Sequence, residues 1–142
     1  MSIEFVGMLL ERAKTIKLGN PLDPTTQMGP IATPPQFQKV KDYVAIAKAE
    51  GARCIIGGKP AEGADIKGGQ FYEPTIFVDV KNHMRIAQEE VFGPVLSVIG
   101  FEDEAEAIAL GNDTQYGLVA GVWTKEIGRL IRMSKALEVG TV

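Results

Sequence analysis

Apolar residues in this chain change their period repeatedly, and that alternation limits the folds open to it. Arg53-Cys54-Ile55-Ile56, Thr75-Ile76-Phe77-Val78, Val95–Ile99 and Leu118–Trp123 are short runs, rich in β-branched or apolar residues and bounded by glycine or proline. Each reads as a strand. The last is apolar throughout and reads as buried on both faces. Between them, apolar residues recur at helical spacing. Val6, Leu9, Leu10, Ala13 and Ile16 predict a helix over 4–17, closed by Gly19-Asn20-Pro21. Thr33 and Pro34 open a second helix, in which Val40, Tyr43, Val44 and Ala47 keep the period until Gly51. Two more follow at 103–110 and about 125–137, and Gly140-Thr141-Val142 reads as the first step of another strand. Alternating strands and helices predict an α/β layer structure with at least partly parallel strands.

The glycine-rich stretch 57–70 and the turn-rich stretch 21–30 read as surface loops. With 142 residues the chain can bury one core, and 45% hydrophobic with 23% charged residues is a globular balance. A net charge of −3 argues against a nucleic-acid partner, which needs clustered Lys and Arg. No apolar run approaches the ~20 residues of a membrane-spanning helix. No signal peptide is visible at Met1–Phe5. The single cysteine, Cys54, excludes an internal disulfide and suits a reducing compartment, so a cytoplasmic setting is expected.

Gln88-Glu89-Glu90-Val91-Phe92-Gly93-Pro94-Val95 resembles the "EEIFGPV" segment of aldehyde dehydrogenases, with Val at 91 in place of Ile. Gly19–Pro24 with Gln27–Pro30 resembles the family's "GNPLDPxTxMGP" segment. Gly51-Ala52, Gly57-Gly58, Glu73-Pro74-Thr75, Asn112-Asp113-Thr114 and Tyr116-Gly117-Leu118 follow in the family's order, so the similarity covers about residues 4–142. The resemblance implies that residues 1–142 are part of the catalytic domain of an NAD(P)-dependent enzyme. It implies a three-layer α/β/α arrangement with a mostly parallel sheet, lacking parts at both ends.

The resemblance also implies site residues. The second glutamate of the motif, here Glu90, would accept hydrogen bonds from the nicotinamide ribose hydroxyls of NAD or NADP. The motif's phenylalanine, here Phe92, would pack against the nicotinamide end. Taken by residue type alone, Glu90 is a solvated carboxylate and Phe92 a core aromatic; the surrounding motif favours the cofactor roles. Gln36 and Lys39, three apart on a predicted helix, match residues near the cofactor ribose, and read equally well as a solvated helix face.

No catalytic or metal-ligating residue is assigned. Cys54 sits in an apolar strand-like run unlike the family's nucleophile segment, and His83 has no metal-ligand spacing around it. The family's thiolate, its glutamate base, its oxyanion donors and its dinucleotide-binding domain would lie upstream, and no G-x-G-x-x-G occurs here. Two functions are therefore expected alternatives. One is a part of an enzyme that oxidises an aldehyde to a carboxylic acid, inactive alone and binding NAD(P) weakly or not at all. The other is a non-enzymatic assembly module derived from it. Exposed edges and apolar faces would make the chain a homo-oligomer.

Overall fold

The computed structural model describes residues 3–63 and 66–142, which divide into two compact units, 1–99 and 100–142. In the first unit the elements are α1 (Ile3–Lys14), α2 (Pro34–Ala49), β1 (Arg53–Ile56), β2 (Thr75–Val78), α3 (Arg85–Gln88) and β3 (Val95–Ser97). The second holds α4 (Glu104–Asn112) and α5 (Ile127–Ala136).

The three strands form one sheet in the order β1-β2-β3. Successive side chains of β2 point to opposite faces, as a strand requires. Phe77, wholly buried, faces the cluster built on Val40, Val44 and Ala47 of α2. Ile76 and Val78 face Ala13, with Val6 and Leu9 of α1 packed beside them. Helices thus cover both faces of the sheet, giving the expected α/β/α layering in this unit.

The sheet is mixed: β2 and β3 are parallel, with Thr75 opposite Val95, whereas β1 and β2 are antiparallel, with Cys54 opposite Phe77. The connections explain the difference. Residues 79–94 cross over through α3, as parallel neighbours require, while 57–74 has no α-helix among its described residues and simply reverses the chain. Gly57 makes that reversal tight. It has φ +70°, and a Cβ there would lie 2.3 Å from the Pro74 carbonyl oxygen. Its neighbour Gly58 donates its N–H to Thr75 Oγ1 at 2.9 Å.

Several boundaries differ from expectation for local reasons. α1 stops at Lys14 because Leu18 turns away to bridge Met28. The run Leu118–Trp123 is not a strand; it makes one parallel bridge, Val119 with Thr141. Nor is it buried, since Leu118, Val119 and Trp123 are all well exposed. The two helices of its unit leave it uncovered, and two short extended segments alone do not make a stable sheet. Within that unit, Asp103 caps α4 by accepting from the Glu106 N–H at 2.8 Å. Glu104 grips Arg132 of α5 through two bonds of 2.7 Å. Asn112 joins the helix ends, donating to the Ala136 carbonyl and accepting from the Glu138 N–H.

Candidate functional site

Residues 89–92 leave α3 without helix or strand and run along one face of α2. Three α2 side chains, Gln36, Lys39 and Tyr43, stand three and four residues apart and so share that face. They meet the passing chain in order. Tyr43 donates its hydroxyl to Glu89 Oε2. Lys39 Nζ donates to the Glu90 carbonyl at 2.8 Å. The Gln36 amide gives its two hydrogens to the Val91 and Phe92 carbonyls, each at 2.8 Å. The match is geometric: seven helical residues rise about 10 Å, nearly the length of three extended ones.

The hold on Phe92 matters because its backbone is unusual, with φ +54°. That left-handed conformation costs a bulky residue on the order of 1–2 kcal/mol, and the two Gln36 bonds, each of about 1 kcal/mol, are of the size needed to offset it. The consequence is that the ring projects outward, 71% exposed, while the preceding Val91 is buried. Gly93 then lets the chain touch α2: a Cβ there would sit 2.4 Å from Val40 Cγ2.

The adjacent glutamates have opposite surroundings. Glu89 receives two bonds from Arg85, at 2.7 and 2.8 Å, besides that of Tyr43. These partners hold its pKa down to about 2, the Arg85 bonds being the largest cause. The same contacts push the Tyr43 hydroxyl up, chiefly through Glu89. A depressed carboxyl pKa stabilises the fold above the unfolded value near 4.5, and that contribution fades as pH falls toward 2. At neutral pH the clamp is therefore fully charged. Glu90, by contrast, is exposed, and its carboxylate has no partner among the described residues.

The four residues expected to hold a cofactor are thus brought together, in two distinct situations. Glu90 and Phe92 present an unpartnered carboxylate and an open aromatic face. Gln36 and Lys39 are bound to motif carbonyls, leaving the Gln36 amide oxygen and the other Lys39 hydrogens for a ligand. An anionic acceptor beside an exposed ring suits a sugar diol joined to a flat heterocycle.

Tyr43, Glu89 and Arg85 were not singled out by sequence reasoning. Tyr43 counts as one more apolar residue in the helical period, although its spacing from Lys39 and Gln36 was visible. The Arg85–Glu89 pair, four apart, acquires meaning only once α3 exists. Cys54, half-buried in β1, donates its thiol to the Ile56 carbonyl at 3.2 Å and packs on the α2 side of the sheet. That is a structural setting. His83 is exposed, and no group of three or more metal-ligating side chains occurs among the described residues.

The chain matches the model of the aldehyde dehydrogenase family over residues 1–142. It is 48% identical over 137 residues to betaine aldehyde dehydrogenase of Mesorhizobium japonicum, covering 96% of this chain and 28% of that protein. It is 43% identical to 5-carboxymethyl-2-hydroxymuconate semialdehyde dehydrogenase of Escherichia coli, with coverage of 98% and 30%. Among solved structures, betaine aldehyde dehydrogenase from Staphylococcus aureus in complex with NAD+ superimposes with TM-score 0.96 at 47% identity, over 98% of this chain and 28% of that one. HpcC from Thermus thermophilus gives 0.94 at 48% identity over the same shares. The chain therefore spans under a third of the length of these relatives, and within that span its sequence, its fold and its glutamate–phenylalanine motif agree: it belongs to the aldehyde dehydrogenase family.

Proposed function

We propose that this chain forms the nicotinamide-ribose wall of an NAD(P)-dependent aldehyde dehydrogenase, an enzyme that oxidises an aldehyde to a carboxylic acid. The observation that carries the reading is the contrast between the two glutamates. Glu89 is consumed by internal bonds, whereas Glu90, one residue on, is left unpartnered on a segment whose backbone is fixed. The S. aureus relative, crystallised with NAD+, supports the choice of cofactor class.

In this reading Glu90 accepts hydrogen bonds from both ribose hydroxyls through its two oxygens. Phe92 lays its ring beside the nicotinamide, limiting its tilt and shedding water from that side. Gln36 and Lys39 hold the wall in place and offer their remaining polar atoms to the ribose. The nicotinamide ring, when bound, supplies the hydride acceptor. No residue of 1–142 takes the part of nucleophile or general base, so the chain alone turns over no aldehyde. A reducing, cytoplasmic setting belongs to the same reading, supported by the single cysteine.

The test uses the complete S. aureus enzyme with its matching segment replaced by this chain. Glu90→Gln keeps the shape and removes the charge, and is expected to raise the NAD+ dissociation constant about tenfold, or roughly 1.4 kcal/mol. An unchanged constant, measured by calorimetry, would sink the proposal. Self-association is also expected, because Ile127 and Ile131 of α5 and the neighbouring Trp123 are exposed. Size-exclusion chromatography of the isolated chain at micromolar concentration checks this, a clean monomer being the contrary result. Neither the fold nor the relatives offer an observation in favour of an assembly module.

A further inference from the structure

The carbonyl of Glu90 is held by Lys39, which fixes the downstream side of that residue. Its upstream side is set by residue 89, whose side chain is gripped from two helices. Arg85 of α3 supplies two bonds and Tyr43 of α2 a third. The backbone is tied as well: the Glu89 N–H donates to the Arg85 carbonyl at 2.8 Å, and its φ −122° and ψ 145° are extended. Two cations stand over the Tyr43 ring, the Arg85 guanidinium at 5.3 Å and Lys39 Nζ at 5.6 Å from its centroid. An exposed ion pair contributes little to stability on its own. Here two side chains, through three hydrogen bonds, order one carboxylate immediately before the unpartnered one.

We propose that Glu89, held by Arg85 and Tyr43, is a positioning residue that sets the direction of the Glu90 carboxylate toward the ribose hydroxyls of NAD(P). This rests on the ribose reading of Glu90. Glu89 touches no cofactor in this arrangement. It fixes the torsions on which the Cα–Cβ bond of residue 90 swings, and so whether both Glu90 oxygens reach the diol together. The effect belongs to cofactor binding, leaving the chemical step alone.

A double-mutant cycle in the grafted S. aureus enzyme separates this role from a general structural one. Glu89→Gln is expected to raise the NAD+ dissociation constant about fivefold with kcat changed less than twofold, and Tyr43→Phe to act in the same direction by about twofold. Placed on a Glu90→Gln background, either change is expected to add nothing further. Arg53→Ala, which breaks the exposed Arg53–Asp79 pair elsewhere in the unit, serves as the control and leaves the constant unmoved. Full additivity of the two glutamate changes overturns the proposal, as does a Glu89→Gln enzyme with unchanged affinity while Glu90→Gln loses it. Should Glu90→Gln itself have no effect, the ribose reading falls first and this inference falls with it. If Glu89→Gln fails to fold, Tyr43→Phe, which keeps the half-buried ring, carries the same cycle.

Discussion

Replacing Gly93 with alanine is expected to destabilise this chain by about 3 kcal/mol, the upper end of what overpacking a filled core costs. The new Cβ would lie 2.4 Å from Val40 Cγ2, well inside contact distance. Val40 is fully buried and, being β-branched on a helix, has essentially one rotamer to offer. Relief must then come from backbone, and the backbone next to Gly93 is the segment that Gln36 holds. Lost stability and displacement of Phe92 should accordingly appear together. Urea unfolding of the variant, followed by circular dichroism, measures the first. An unchanged midpoint would mean that Val40 can swing aside and that the glycine is there for another reason.

Phe77→Ala is expected to cost more, about 3–5 kcal/mol. Phe77 has no exposed surface and occupies the middle strand, with α2 residues above it and the opposite face already filled by Ile76 and Val78. Neither layer can collapse into the space without unpacking its own contacts, so the cavity persists. Domains of this size are held by only about 5–15 kcal/mol, so a large share of the total would go. Leu96→Ala makes the comparison: Leu96 lies on β3 at 44% exposure, and its truncation should cost under about 1 kcal/mol. Equal losses for the two variants would show that the core is not centred on Phe77.

Much of this organisation was legible in the residues. Strands β1 and β2 and helix α2 stood out because glycine, proline and a capping threonine bound them sharply and their periods are unmixed. Glu90 and Phe92 were found through a string of seven residues, since neither is distinctive by type. Other features were hidden for definable reasons. α3 is a single turn with one buried residue, Ile86, too short to show a period. Leu118–Trp123 has strand composition, but a strand needs partners, and within its unit it makes a single bridge, Val119 with Thr141. The antiparallel pairing of β1 depends on what the 57–74 loop does in space. The Tyr43–Glu89–Arg85 cluster joins residues up to 46 apart in sequence, a separation over which local spacing carries no information.

The contacts from Lys39 and Gln36 fall on main-chain oxygens, which every residue possesses. They are therefore indifferent to what residues 90–92 are, but not to how many of them there are. Substitution of one aliphatic side chain for another at 91, as in the Val found where the family motif has Ile, leaves each oxygen in reach. Insertion or deletion of a single residue would displace every oxygen by about 3.3 Å, more than a hydrogen bond can stretch. α2 acts here as a ruler: it holds the length of the wall fixed, while the choice of side chains at 90 and 92 is left to what they meet outside the helix.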